Sequence, residues 1–163
     1  MTRNVGEQLT RLAEQEDRLV LDSFDNADAW QLGSLMVERA VRDALPVIID
    51  IRKPGLVLFH SALAGTTIEN EVWLKRKART TFRFEVSTAL LDARFAAQGV
   101  DQWSVGWFDH TRFTATGGAF PLRVRGAGLV AVATLSGLDS AQADHDFVVD
   151  SLEEYLAGDR LSQ

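Results

Sequence analysis

The chain has 163 residues, 46% of them apolar, and a net charge of −6, which fits one compact domain with a sizeable core and gives no global attraction to nucleic acid. It contains no cysteine, which excludes disulfides, thiolate metal sites, iron-sulfur clusters and cysteine nucleophiles. Met1 to Glu7 lack the apolar core of a secretory signal, and no uncharged apolar run nears the ~20 residues that span a bilayer; the expectation is a cytoplasmic protein with neither a membrane nor a nucleic-acid partner.

A leading amphipathic helix is expected over residues 1–17, with Val5, Leu9, Leu12 and Ala13 on one face, ahead of a core over 18–157. Arg18 to Asp22 read as a short first strand. Ser23 to Asn26 then supply cap-type residues for a helix whose Trp30, Gly33, Val37, Ala40, Val41 and Ala44 recur three or four apart as one buried stripe. Pro46 stops it. Val47–Ile51 and Leu56–His60 read as a hairpin joined through Arg52 to Gly55, with Pro54-Gly55 suited to a type II turn. The first of these strands is nearly all apolar, which predicts cover on both faces, and strict alternation puts His60 on the face of Leu56 and Leu58.

Thr66-Thr67-Ile68-Glu69 has the spacing of a capping box. From it Trp73, Lys77, Thr80, Phe84, Thr88, Leu91 and Phe95 repeat at helical spacing toward Gly99, as one helix or as two broken near Glu85 to Thr88. Residues 100–116 follow neither period and read as a structured loop. Strands over 119–125 and 129–135, turned by Gly126-Ala127-Gly128, lead to a last helix with Ala141, His145, Val148, Leu152 and Leu156 on one stripe and Asp139 or Ser140 as its cap. About five strands and four or five helices predict a single α+β domain over residues 1–163: a mostly antiparallel sheet with helices packed on it.

Seven pieces occur in order: Val47 to Arg52, Leu58-Phe59-His60, Ala64-Gly65-Thr66, Trp73 to Lys77, Gly117 to Leu122, Ser136-Gly137-Leu138 and Asp144-His145. Together they resemble the haem-degrading-domain superfamily of HbpS- and GlcG-like proteins, most closely the branch known as uncharacterised protein family 0303. The resemblance implies a profilin- or roadblock-like arrangement, assembly into homo-oligomers, and haem or another tetrapyrrole as ligand. Relatives of this kind often carry a histidine where this chain has Thr116, so that position lacks a nitrogen ligand here.

Haem needs an axial ligand, an apolar slot and partners for two propionates. His60, His110, His145, Met36 and Tyr155 are the ligand types available, setting aside Met1. Lys75, Arg76, Lys77, Arg79 and Arg83 place five cations in nine residues; Lys75, Arg79 and Arg83 form one row, and Lys77 is expected to snorkel from a partly buried position. The expected pocket lies near the Gly-Gly junction and the basic helix, with His60, Trp73, Arg76, Lys77, Thr116, Gly117, Gly118 and His145 as candidate ligand-binding residues and His60 or His145 as iron ligands. No GxSxG elbow, Walker loop or HExxH helix is present, and Gly126-Ala127-Gly128 lacks the context of a dinucleotide site. Enzymatic activity is therefore left open, and the alternative is a non-catalytic homo-oligomeric scaffold that binds protein partners.

Overall fold

The computed structural model describes residues 2–161. Five strands, β1 (Val20–Leu21), β2 (Ile48–Lys53), β3 (Leu56–Ala62), β4 (Ala119–Val124) and β5 (Gly128–Ser136), form one sheet in the order β1-β4-β5-β2-β3. All pairings are antiparallel except the two-residue contact of β1 with β4. Five α-helices cover it: α1 (Thr2–Arg18), α2 (Asn26–Arg42), α3 (Ile68–Phe84), α4 (Thr88–Ala97) and α5 (Ala141–Leu161). This is the expected α+β architecture.

Alternation along the strands divides the core. Phe120, Leu122, Ala131, Ala133, Leu135, Ile49 and Ile51 point to the face packed by α2 and α5, while Ala119 and Val132 meet Ala78 of α3 on the other. Each fully buried large side chain on the first face contributes about 1.5–3 kcal/mol by leaving water. A second cluster joins Leu12 of α1 to Leu90, Leu91 and Phe95 of α4 and to Phe108 and Ala115 of the loop. The leading helix is thus pinned by its apolar face.

Several local readings shift by one residue. The buried stripe of α2 is Ala29, Leu32, Gly33, Met36 and Ala40; Trp30 and Val41 are 66% and 61% exposed. The cap of α3 is Thr67, not Thr66, because Asn70 Oδ1 accepts from Thr67 N at 2.8 Å while the Thr66 hydroxyl donates to the Leu63 carbonyl. The helical run divides into α3 and α4 at Glu85, whose φ of 55° ends the first helix. Gly55 at φ 75° suits the expected turn.

The hairpin carries a bulge with a consequence for His60. Ile51 pairs with Phe59 but Arg52 pairs with Val57, so Leu58 is an extra residue. Leu58 packs with Phe59 against the α2 side, whereas His60 stands beside Asp50 and Glu71 of α3. Strict alternation placed His60 with Leu58; the bulge reverses that.

Candidate functional site

The Gly117-Gly118 junction lies where β4 starts, under the first turns of α5. Ser140 Oγ accepts from Ala143 N at 3.1 Å and so opens that helix. A Cβ on Gly117 would stand 2.6 Å from the Ala141 carbonyl oxygen, and one on Gly118 2.6 Å from the Leu135 carbonyl and 2.7 Å from Lys77 Nζ. Gly118 has φ 132°, which an L side chain rarely adopts. The glycines therefore bring β4, α5 and a lysine to a separation that no larger residue permits.

Lys77 is 2% exposed and does not snorkel. Its ammonium donates to Asp144 Oδ2 at 2.6 Å and to the Leu135 carbonyl at 3.2 Å, and Asp144 Oδ1 accepts from Leu138 N at 2.9 Å. Burial pushes the Lys77 amine below its ordinary range, with the adjacent carboxylate opposing. Burial likewise raises Asp144, with Lys77 opposing. The pair holds α3, β5 and α5 together at the floor of a cleft of about 260 Å3, lined by Asn70, Trp73, Lys77, Thr116, Asp144 and the segment from Ser136 to Ala141.

Of the candidate residues, Trp73, Lys77 and Thr116 meet at this cleft, while Gly117 and Gly118 do not line it but pack against its residues Ala141, Lys77 and Asp144. Arg76 lies beside it with its guanidinium 5.2 Å from the Trp73 ring centroid. The other two are elsewhere. His145 is 1% exposed, its Nε2 is 2.9 Å from Gln15 Oε1 of α1, and its ring faces Phe120; burial lowers its pKa to about 4. His60 Nδ1 is 2.8 Å from Oδ2 of the fully buried Asp50, and its Nε2 is 3.3 Å from Glu71 Oε2.

Asn70 and the Leu138 backbone carry no signal in the sequence, and Ser140 is legible there only as a helix cap, because a cleft assembled from three elements leaves no local pattern. Asp144 stands in the sequence only as half of the Asp144-His145 piece, and its pairing with Lys77, 67 residues away, has no local signal. Among the described residues no group of three or more His, Cys, Asp or Glu side chains is placed to hold a metal ion, and no helix is long and apolar enough to cross a membrane.

Residues 24–153 match the family model described as haem degrading protein HbpS-like. A UPF0303 protein of Streptomyces avermitilis is 42% identical over 148 residues, covering 91% of this chain and 90% of that one. Among solved structures, the Ybr137w protein superposes with a TM-score of 0.81 at 26% identity, covering 94% of each chain. PduOC, solved as a complex with haem, superposes with a TM-score of 0.66 at 22% identity over 82% of this chain and 94% of that one. The matched span contains strands β2 to β5, the Gly117-Gly118 junction and the Lys77–Asp144 pair, and the chain belongs to the HbpS-like haem-degrading protein family, on its UPF0303 branch.

Proposed function

We propose that this protein binds a small molecule in the cleft between Trp73, Thr116 and the start of α5. The observation that carries this reading is the close packing of Gly118 on Lys77, which sets a buried ammonium and its carboxylate partner in the floor of an open, polar cleft. Strongly desolvated ionisable pairs in clefts are functional-site candidates on physical grounds. The Trp73 ring offers a flat face, and Asn70, Thr116 and Ser140 offer hydrogen bonds.

Family membership makes a tetrapyrrole the first ligand to try, but the cleft does not fit haem. Its lining has no histidine, methionine, tyrosine or cysteine to ligate iron, and its volume of about 260 Å3 falls short of the roughly 300–1,000 Å3 of drug-sized pockets. His60 is the candidate ligand whose ring reaches solvent, with Asp50 orienting it through Nδ1, and it stands beside Glu71 of α3 without lining the cleft. The residues favour a ligand smaller than haem.

A thermal-shift screen of small polar and aromatic compounds, with hemin titration beside it, tests this. Stabilising compounds are expected to lose their shift in Thr116→Trp and in Leu138→Trp, each of which fills the cleft. Hits unaffected by both variants, or a saturable hemin Soret shift abolished by them, would overturn the reading.

The homo-oligomeric scaffold is the second reading. It is favoured by exposed Trp30, Ile68, Trp103 and Trp107 and by the position of β3 at the sheet edge. Light scattering is expected to give a defined multimer that Trp30→Ser weakens; a monomer at micromolar concentration rejects it.

A further inference from the structure

We propose a second ligand site on the opposite flank of α3, for a compact, multiply anionic small molecule of the phosphate-ester class. A cleft of about 230 Å3 opens between the tip of the β2–β3 hairpin and α3, with Arg52, Lys53, Lys75 and Arg79 around it and Ala78 and Phe82 beneath. At about 100° per residue, these α3 positions lie across the helix from Asn70, Trp73 and Lys77. The basic run of α3 therefore serves two separate clefts, with the Lys75 and Arg79 row at this one and Lys77 at the other.

The charge there is not neutralised. Four cations face the cleft, against the carboxylates of Asp50 at Arg52, Glu71 at Lys75 and, beyond ion-pair distance, Asp25 near Lys53, within a chain whose net charge is −6. Asp50, fully buried, takes both Arg52 Nε at 2.5 Å and Nη2 at 2.7 Å, which fixes the guanidinium plane. Its Nη1 has no partner among the described residues. Lys75 reaches Glu71 at 3.3 Å, while neither Lys53 nor Arg79 has a carboxylate within ion-pair distance among the described residues.

A guanidinium held in plane and flanking ammonium groups match phosphate oxygens, the guanidinium by direction and the ammonium as point charge. Like charges four apart on a helix repel, and a bound anion removes that cost. Ala78 and Phe82 belong to the apolar cluster on the α3 face of the sheet, so the floor is apolar, and a low-dielectric wall strengthens electrostatic recognition.

Isothermal titration with inorganic pyrophosphate at low ionic strength tests the site. One-site binding is expected, weakened about tenfold or more in the double variant Lys53→Gln, Arg79→Gln and kept within twofold in Arg112→Gln, an exposed arginine elsewhere. Thr116→Trp, which blocks the other cleft, is expected to bind as wild type, so failure of either site is told apart. Circular dichroism melts confirm that each variant folds. Heat that does not saturate, equal binding by the double variant, or binding lost equally in Arg112→Gln overturns the proposal. A short single-stranded oligonucleotide that binds more tightly than pyrophosphate through Lys53 and Arg79 would overturn it in favour of nucleic acid.

Discussion

Lys77 Nζ lies 2.6 Å from Asp144 Oδ2, and the same nitrogen stands 2.7 Å from where a Gly118 Cβ would be. Side-chain exposures of 3% and 7% put this ion pair inside the protein. The contact ties α3 to the β5–α5 unit across a separation of 67 residues.

Removing one partner strands the other. Lys77→Met is expected to destabilise the fold by about 3–5 kcal/mol, since an unpaired buried carboxylate remains. The double variant Lys77→Met, Asp144→Leu is expected to recover much of that loss. Urea denaturation of the cycle checks it; a double variant no more stable than Lys77→Met would contradict the pairing.

Gly118→Ala is expected to cost at least about 2 kcal/mol, combining strain at a disfavoured φ with a clash against the Leu135 carbonyl, which β-sheet pairing holds in place. Gly126 has positive φ and open space around it, so Gly126→Ala should lose only about 1 kcal/mol. Equal losses would show that crowding at Gly118 is unimportant.

His145 sets a pH window. Burial lowers its pKa from 6.5 to about 4, so in acid the unfolded chain takes up a proton before the folded one does. Its contribution is full above pH 6.5 and is lost as the pH falls toward 4. Thermal melts between pH 7 and pH 4 should show a drop that His145→Leu reduces by roughly 2–3 kcal/mol. An identical slope in the variant would rule out a neutral buried imidazole.

The α2–β3 contact is as tight. A Cβ on Gly33 would stand 2.3 Å from Phe59 Cγ, in clash with a ring that packs edge-on against Trp30 at 5.8 Å. Gly33→Ala is expected to cost about 1–3 kcal/mol by overpacking, and Phe59→Leu in that background should restore part of it. If Phe59→Leu worsens Gly33→Ala additively in chemical denaturation, the two residues are not in conflict.

Much of the fold was legible because its signals are local. Pro54-Gly55, the apolar run of β2, the Gly126 to Gly128 turn and the α5 stripe each rest on turn chemistry or periodicity within a few residues. Errors fell where one residue changes the outcome. Trp30 looked like core from its spacing, yet Ala29 and Leu32 fill that face; Thr66 looked like the cap, yet Asn70 selects Thr67; a bulge at Leu58 turned His60 to the α3 side.

The sequence by itself determined the α+β class, the order of elements and the concentration of cations on one helix, because composition and periodicity act at short range, and its seven ordered motif pieces carried the family resemblance. Only the tertiary structure decided what those cations do. Lys77 is paired inside the protein, while Lys75 and Arg79 stand beside Arg52 and Lys53 on the other flank, because the angular spacing of α3 is converted into location by the sheet on which it packs. The separation of His60 and His145 from the Gly117-Gly118 cleft was decided in the same way: it depends on which layer covers each face of the sheet, and that is set by burial of the whole core.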